Sequence, residues 1–183
     1  MAEQKYILSQ ILELVHRQAF SRCVNKYNGN YRVRRFSCRD LFICLVFGQL
    51  THRESLRDIV TCLNAHKSKH YQLGLRGDVA RSTFAEANEK RDWRIYADLA
   101  QILIRKFRKT TQLDKASEIE LDNVIYALDA TVIDLCLNVF WWAKFRKHKA
   151  AIKLHTLLDI RCEIPCFIHI TDGATHDVKV LDI

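Results

Sequence analysis

One carboxylate, Asp129, closes a strongly apolar run in VIYALDATVI, residues 124–133. The five apolar residues before it, Val124 to Leu128, have the pattern of a strand covered on both faces. An unpaired carboxylate in such a place costs roughly several kcal/mol or shifts its pKa instead. It therefore needs the solvent end of the strand, a cation, or a metal ion. Two more strand-like runs follow, AIKLHTLLDI (151–160) and IPCFIHIT (164–171), with Asp159 and Asp172 at their ends. Three neighbouring strands with acids near their ends suggest a sheet that carries a metal-dependent site.

A second chemistry is cationic. Arg32, Arg34 and Arg35 follow the turn signal Asn28-Gly29. Arg81, Lys90, Arg91 and Arg94 lie in and after ARSTFAEANEK. Lys144, Arg146, Lys147, Lys149 and Lys153 lie between the first two strand-like runs. Each group fits phosphate contacts, and each also fits a solvated basic surface. Residues 1–120 hold 22 Lys and Arg against 13 Asp and Glu, whereas residues 121–183 hold 7 against 8. The basic excess belongs to the N-terminal part and points to a polyanion partner there. A zinc site from Cys162, Cys166, His169 and His176 is a weaker possibility. No C-x-x-C pair is present, and a hairpin alternates its faces.

The elements that must position these residues divide the chain. Residues 3–20 have the apolar spacing of an amphipathic helix, with Ile7, Ile11, Leu14 and Val15 on one face. Ser37 and Asp40 form a weaker capping box for a helix over Cys38–Leu50, apolar almost all round and hence central. Thr51 and Glu54 suggest a second box opening a helix at 54–65. Ser82 suits the cap of a helix starting at Thr83, and residues 93–109 continue as another helix. Three short helices, the last introduced by Arg81-Ser82-Thr83, have the layout of a helix-turn-helix reader. Residues 110–122 are polar and aperiodic and form the expected boundary. The expected fold class is α+β: a helical, helix-turn-helix-like DNA-binding domain at 1–115, then strands at 121–183.

Hydrophobic residues make up 49% of the chain, enough for a packed core rather than disorder. The opening MAEQKYILSQ lacks the charge and apolar pattern of a secretion signal. No apolar run approaches the ~20 residues of a membrane span. With seven scattered cysteines, the expectation is a cytoplasmic protein with reduced, mostly buried thiols and no membrane partner.

Separated blocks of this chain resemble the IS4-type DDE transposases of bacterial insertion sequences. They are SQILELV, KYNG, RRFSC, RSTFAEANEKRDWRIYADLA, LDNVIYALDATVIDLCL, WWAKFRKHKAAIKLHTLLDI and IPCFIHITDGATHDVKVLD, running in order from Ser9 to Asp182. The resemblance implies a ribonuclease-H-like catalytic domain whose first three strands form an antiparallel meander. It maps the first catalytic and metal-binding acid to Asp129. In that family a second Asp and a Glu join it to hold two Mg²⁺ ions for strand cleavage and transfer on double-stranded DNA. Both would lie beyond Ile183, and Asp172 and Asp177 do not occupy the family's second position. The expectation is an inactive fragment with an unpaired apolar edge on its first strand, prone to homodimerise. Trp141 and Trp142 are expected to pack in a core. The alternative is a protein that only binds DNA and represses transposition.

Overall fold

The computed structural model describes residues 6–114, 125–135, 144–146 and 149–175. It is an α+β protein, helical first and then an antiparallel sheet. Contacts group it into two compact units, Met1–Leu103 and Ile104–Ile183. The division falls inside the longest helix rather than in the polar stretch at 110–122.

The helical unit is built from α1 (Ile7–Leu14), α2 (Arg17–Lys26), α3 (Cys38–Leu50), α4 (Leu56–Ala65), the short α5 (His70–Leu73), α6 (Arg81–Lys90) and the start of α7 (Arg94–Asp114). The single helix expected over residues 3–20 is two helices. Val15 and His16 are extended and break it. The break has a packing reason: Leu12 belongs to one apolar cluster, while Val15 and Phe20 belong to another. One straight helix presents one apolar stripe.

Helix α3 is central, as its all-round apolar sequence suggests. Leu41, Ile43 and Cys44 enter the first cluster and Cys38 the second. Ser37 caps it with the full box. Its hydroxyl accepts from Asp40 N–H at 3.2 Å, and Asp40 accepts from Ser37 N–H at 2.7 Å. The expected box at Thr51 is absent. Thr51 ends α3 instead, donating its hydroxyl to Phe47 O at 2.7 Å, the i−4 bond a threonine makes readily. Ser55 caps α4 by accepting from Asp58 N–H at 3.1 Å. Helix α6 starts at Arg81, two residues earlier than expected, with Ala80 at its cap and no side-chain bond.

In the sheet unit, β1 (Tyr126–Leu135), β3 (Lys149–Asp159) and β4 (Ile164–Asp172) form an antiparallel meander with β3 in the middle. The short β2 (Lys144–Arg146) pairs with the first residues of β3. Among the described residues β1 pairs only with β3, and Tyr126, Val132 and Ile133 are exposed on it, with Ile125 exposed just before it. Trp141 and Trp142 lie outside the described residues. Six described cysteines are free thiols, and burial pushes the thiol of Cys44 up to about 12. Among the described residues no helix is long and apolar enough to cross a membrane.

Candidate nucleic-acid interface

The loop between α2 and α3 carries Arg32, Arg34 and Arg35, and its path is set by close packing. Gly29 N–H donates to Val24 O at 2.9 Å. A Cβ on Gly29 would sit 2.4 Å from Ile95 Cδ1 and 2.8 Å from Cys38 Sγ, so any side chain there forces the buried Ile95 and Cys38 to shift. Asn28 and Arg32 both take the left-handed backbone, with φ of 50° and 56°. The Asn30 side chain accepts from Cys38 N–H at 2.8 Å, fastening the loop to the start of α3. Arg91 of the α6–α7 link donates to Phe36 O at 3.0 Å and holds the loop's other end.

Three clefts open onto this loop, and Arg34 and Arg35 line all three. The first, about 750 Å³, adds Arg17, Arg39 and Arg76. The second adds Arg76 and Thr83. The third adds Arg32, Tyr31, Lys90 and Arg91. Two tyrosines stand at these rims with their rings in solvent, Tyr31 at 70% exposure and Tyr71 at 91%. Cations interleaved with exposed aromatics suit a polyanion with stackable rings.

The turn that carries Arg76 is held from two sides. Asn64 makes a two-way bond with Val79, donating to its O at 3.0 Å and accepting from its N–H at 3.1 Å. The buried His70 ring lies between Gly77 O at 3.0 Å and Leu63 O at 2.8 Å. Lys67 and Asp78 add an exposed ion pair.

The cations proposed for a reader helix have different surroundings. Arg81 is exposed at the start of α6. Lys90 pairs with Glu86 at 2.6 Å, one turn back. Arg94 pairs with Asp92 at 2.6 Å and lies over the Tyr27 ring at 4.8 Å. Arg32 stacks on Tyr31 at 5.1 Å. The loop and the first cleft thus bring together Arg34 and Arg35 with three arginines that motif reading passed over: Arg17, Arg39 and Arg76. A signal for Arg39 was available: it is the second residue of α3, just after the Ser37 cap, where a cation opposes the helix dipole. Arg17 opens α2 in the same way, but only the break at Val15 puts it there.

The sheet carboxylates separate into different roles. Asp129 is exposed, opposite Thr156 in the register, and accepts from Thr131 Oγ1 at 3.3 Å. Asp159 is 1% exposed. It contacts Arg108 at 3.4 Å and Arg161 at 3.5 Å, and it accepts from Arg161 N–H at 3.1 Å. Burial pushes the Asp159 pKa up, but the Arg161 N–H and the two guanidiniums outweigh it and hold the carboxyl below its ordinary value. Asp159 also lies an odd number of residues from Asp129 in the paired register, hence on the opposite face. Asp172 caps a turn, accepting from Thr175 N–H at 3.0 Å and from its hydroxyl. It shares the face of Asp129 but is four residues along and two strands across, roughly 16 Å by sheet geometry.

Among the described residues no group of three or more His, Cys, Asp or Glu can hold a metal ion. The acids at the strand ends therefore do not converge, and the described carboxylates do not make up a two-magnesium site around Asp129. The zinc alternative meets the same result for its described members. Cys162 donates its thiol to Asp159 O at 3.8 Å, and the His169 ring stacks on Phe167 at 5.7 Å. His176 lies outside the described residues. Lys144, Arg146 and Lys149 lie on strands β2 and β3, and Lys147 is outside the described residues. Lys153 of β3 donates to Thr175 O at 2.8 Å.

Residues 3–76 match a domain of unknown function, DUF4372. The match contains Arg17, Arg32, Arg34, Arg35, Arg39 and Arg76, the arginines of the clefts before α6. No curated protein and no solved structure matches the chain.

Proposed function

We propose that the chain is a DNA-binding protein of the insertion-sequence transposase type, whose helical unit grips double-stranded DNA through the arginine loop at 32–35. The observation that carries this reading is the set of basic clefts meeting at Arg34 and Arg35. The matched domain is typically found in transposase-like proteins, which agrees with it. The ordered blocks of transposase-like sequence and the three-strand meander bearing Asp129 support the same type. In that scheme Asp129 is one acid of a Mg²⁺-dependent strand-transfer centre in a ribonuclease-H-like sheet, and its partners lie outside the described residues.

Binding of a labelled duplex, followed by anisotropy across a salt series, tests the reading. Affinity should fall steeply with salt, because each neutralised phosphate releases counterions. Replacing Arg34 and Arg35 together by Ala should lower the slope by about two. Absence of duplex binding at low salt would sink it. A second reading is binding without cutting, as in a repressor of transposition. The isolation of Asp129 among the described carboxylates favours it. Mg²⁺-dependent nicking by the purified chain, lost in Asp129→Asn, would exclude that second reading.

A further inference from the structure

The first cleft differs from an ordinary basic surface in its charge balance. Its wall carries Arg17, Arg34, Arg35, Arg39 and Arg76 against two carboxylates, Glu13 and Asp40. Asp40 is already engaged, accepting from the N–H and the hydroxyl of Ser37, each at 2.7 Å. None of the five arginines is ion-paired among the described residues, whereas Lys90, Arg94, Arg108 and Arg161 are. Arg39 is half-buried. Burial lowers its pKa and the positive charge of Arg17 lowers it further, against a smaller opposing pull from the Asp40 carboxylate. Five guanidiniums, four of them exposed and one half-buried, thus share a concave wall with only two carboxylates, which leaves an excess of positive charge there. Such an arrangement is electrostatically unfavourable alone and favourable once an anion enters. Planar guanidiniums match the oxygen geometry of phosphate. The cleft volume of about 750 Å³ lies within the range of small-ligand pockets and exceeds what one phosphate fills.

We propose that this cleft is a dedicated phosphate-binding site that seats a phosphorylated, nucleotide-sized group between Arg17, Arg39 and Arg76, with Arg34 and Arg35 at its mouth. The exposed Tyr71 ring at the rim is placed to cover the sugar or base attached to that phosphate. The site deepens the DNA reading and rests on the same arginine loop. Its chemistry is shared by a strand phosphate and a free nucleotide or polyphosphate.

The test uses the full chain and inorganic pyrophosphate as probe, against sodium chloride at equal ionic strength. A ligand that binds only the folded state raises the melting temperature. The expected result is a rise of a few degrees with pyrophosphate over chloride, reduced in Arg17→Gln and abolished in Arg39→Gln. Arg76→Gln, on an exposed turn, serves if Arg39→Gln does not fold. No rise over chloride, or the same rise in every variant, overturns the proposal, even if duplex DNA still binds. Competition with a labelled duplex separates the sources. Displacement of the duplex by pyrophosphate assigns the cleft to a DNA phosphate. Pyrophosphate protection through Arg17 and Arg39 without displacement supports the phosphate site for a free ligand and removes the cleft from the DNA interface.

Discussion

Arginines play opposite parts in the two units. In the sheet unit Arg108 and Arg161 converge on one buried carboxylate, Asp159, which pairs with both. In the helical unit Arg17, Arg34, Arg35, Arg39 and Arg76 converge on a cleft and on one another. The first arrangement meets its cations with an acid of the chain itself. The second leaves positive potential facing solvent. A count of cations alone ranks these regions by charge, but pairing decides which cations remain available to an external anion. The same rule applies inside the helical unit, where Lys90 and Arg94 are matched by Glu86 and Asp92. Apolar exposure does not separate the units: the helical unit leaves Ile7, Leu50 and Trp93 exposed, and the sheet unit leaves Val132, Ile133 and Ile170 exposed.

The largest expected effect comes from breaking the closed arrangement. Asp159→Asn removes the charge between two partly exposed arginines and should cost about 2 kcal/mol, below the range for a fully buried pair because solvent screens the guanidiniums. Thermal or denaturant unfolding of the variant checks this. The folded pKa of Asp159 lies below its unfolded value. Its contribution to stability is thus fully present above about pH 4, near the ordinary Asp value, and is lost as pH falls through the lower folded value. The variant should lack that part of the acid destabilisation, and an unchanged acid limb would mean the ion pairs are not felt.

The next effect perturbs the open arrangement through its backbone. Gly29→Ala inserts a methyl group against Ile95 and Cys38 and should cost about 1 kcal/mol, the low end of overpacking, because the nearest atom is the tip of the Ile95 side chain. Because Gly29 sets the path of the arginine loop, duplex affinity should fall as well. Lost stability with unchanged affinity would separate the loop from the interface. The smallest effect sharpens the comparison. Lys90→Ala removes a cation already matched by Glu86, so the salt slope of DNA binding should stay the same within error. A slope lowered by about one would show that Lys90 leaves Glu86 for phosphate.

Much of the local structure was legible along the chain. The Ser37–Asp40 box marks the start of α3, and the run into Asp129 marks a strand, because caps and alternation act over a few residues. The break at Val15 was not legible. No Gly or Pro signals it, and it follows from two apolar clusters that claim neighbouring residues. Thr51 was misread because one threonine can cap the next helix or close the last one, and packing chose the second.

The residues that do chemistry divide by the same physical line. Sequence by itself determined an α+β chain with a basic helical part, the arginine loop at 32–35, and a strand that carries Asp129, although β1 runs on to Leu135 and places that acid inside the strand rather than at its end. These follow from composition, turn signals and periodicity, which are short-range. Only the tertiary structure decided that Arg17, Arg39 and Arg76 join that loop around one cleft, that Asp159 is buried between two arginines, and that Asp129 stands apart from the strand-end acids Asp159 and Asp172. Electrostatic pairing depends on distance in space, and residues 17, 39 and 76 come together only when α2 and the turn after α5 pack on α3 through its two apolar clusters.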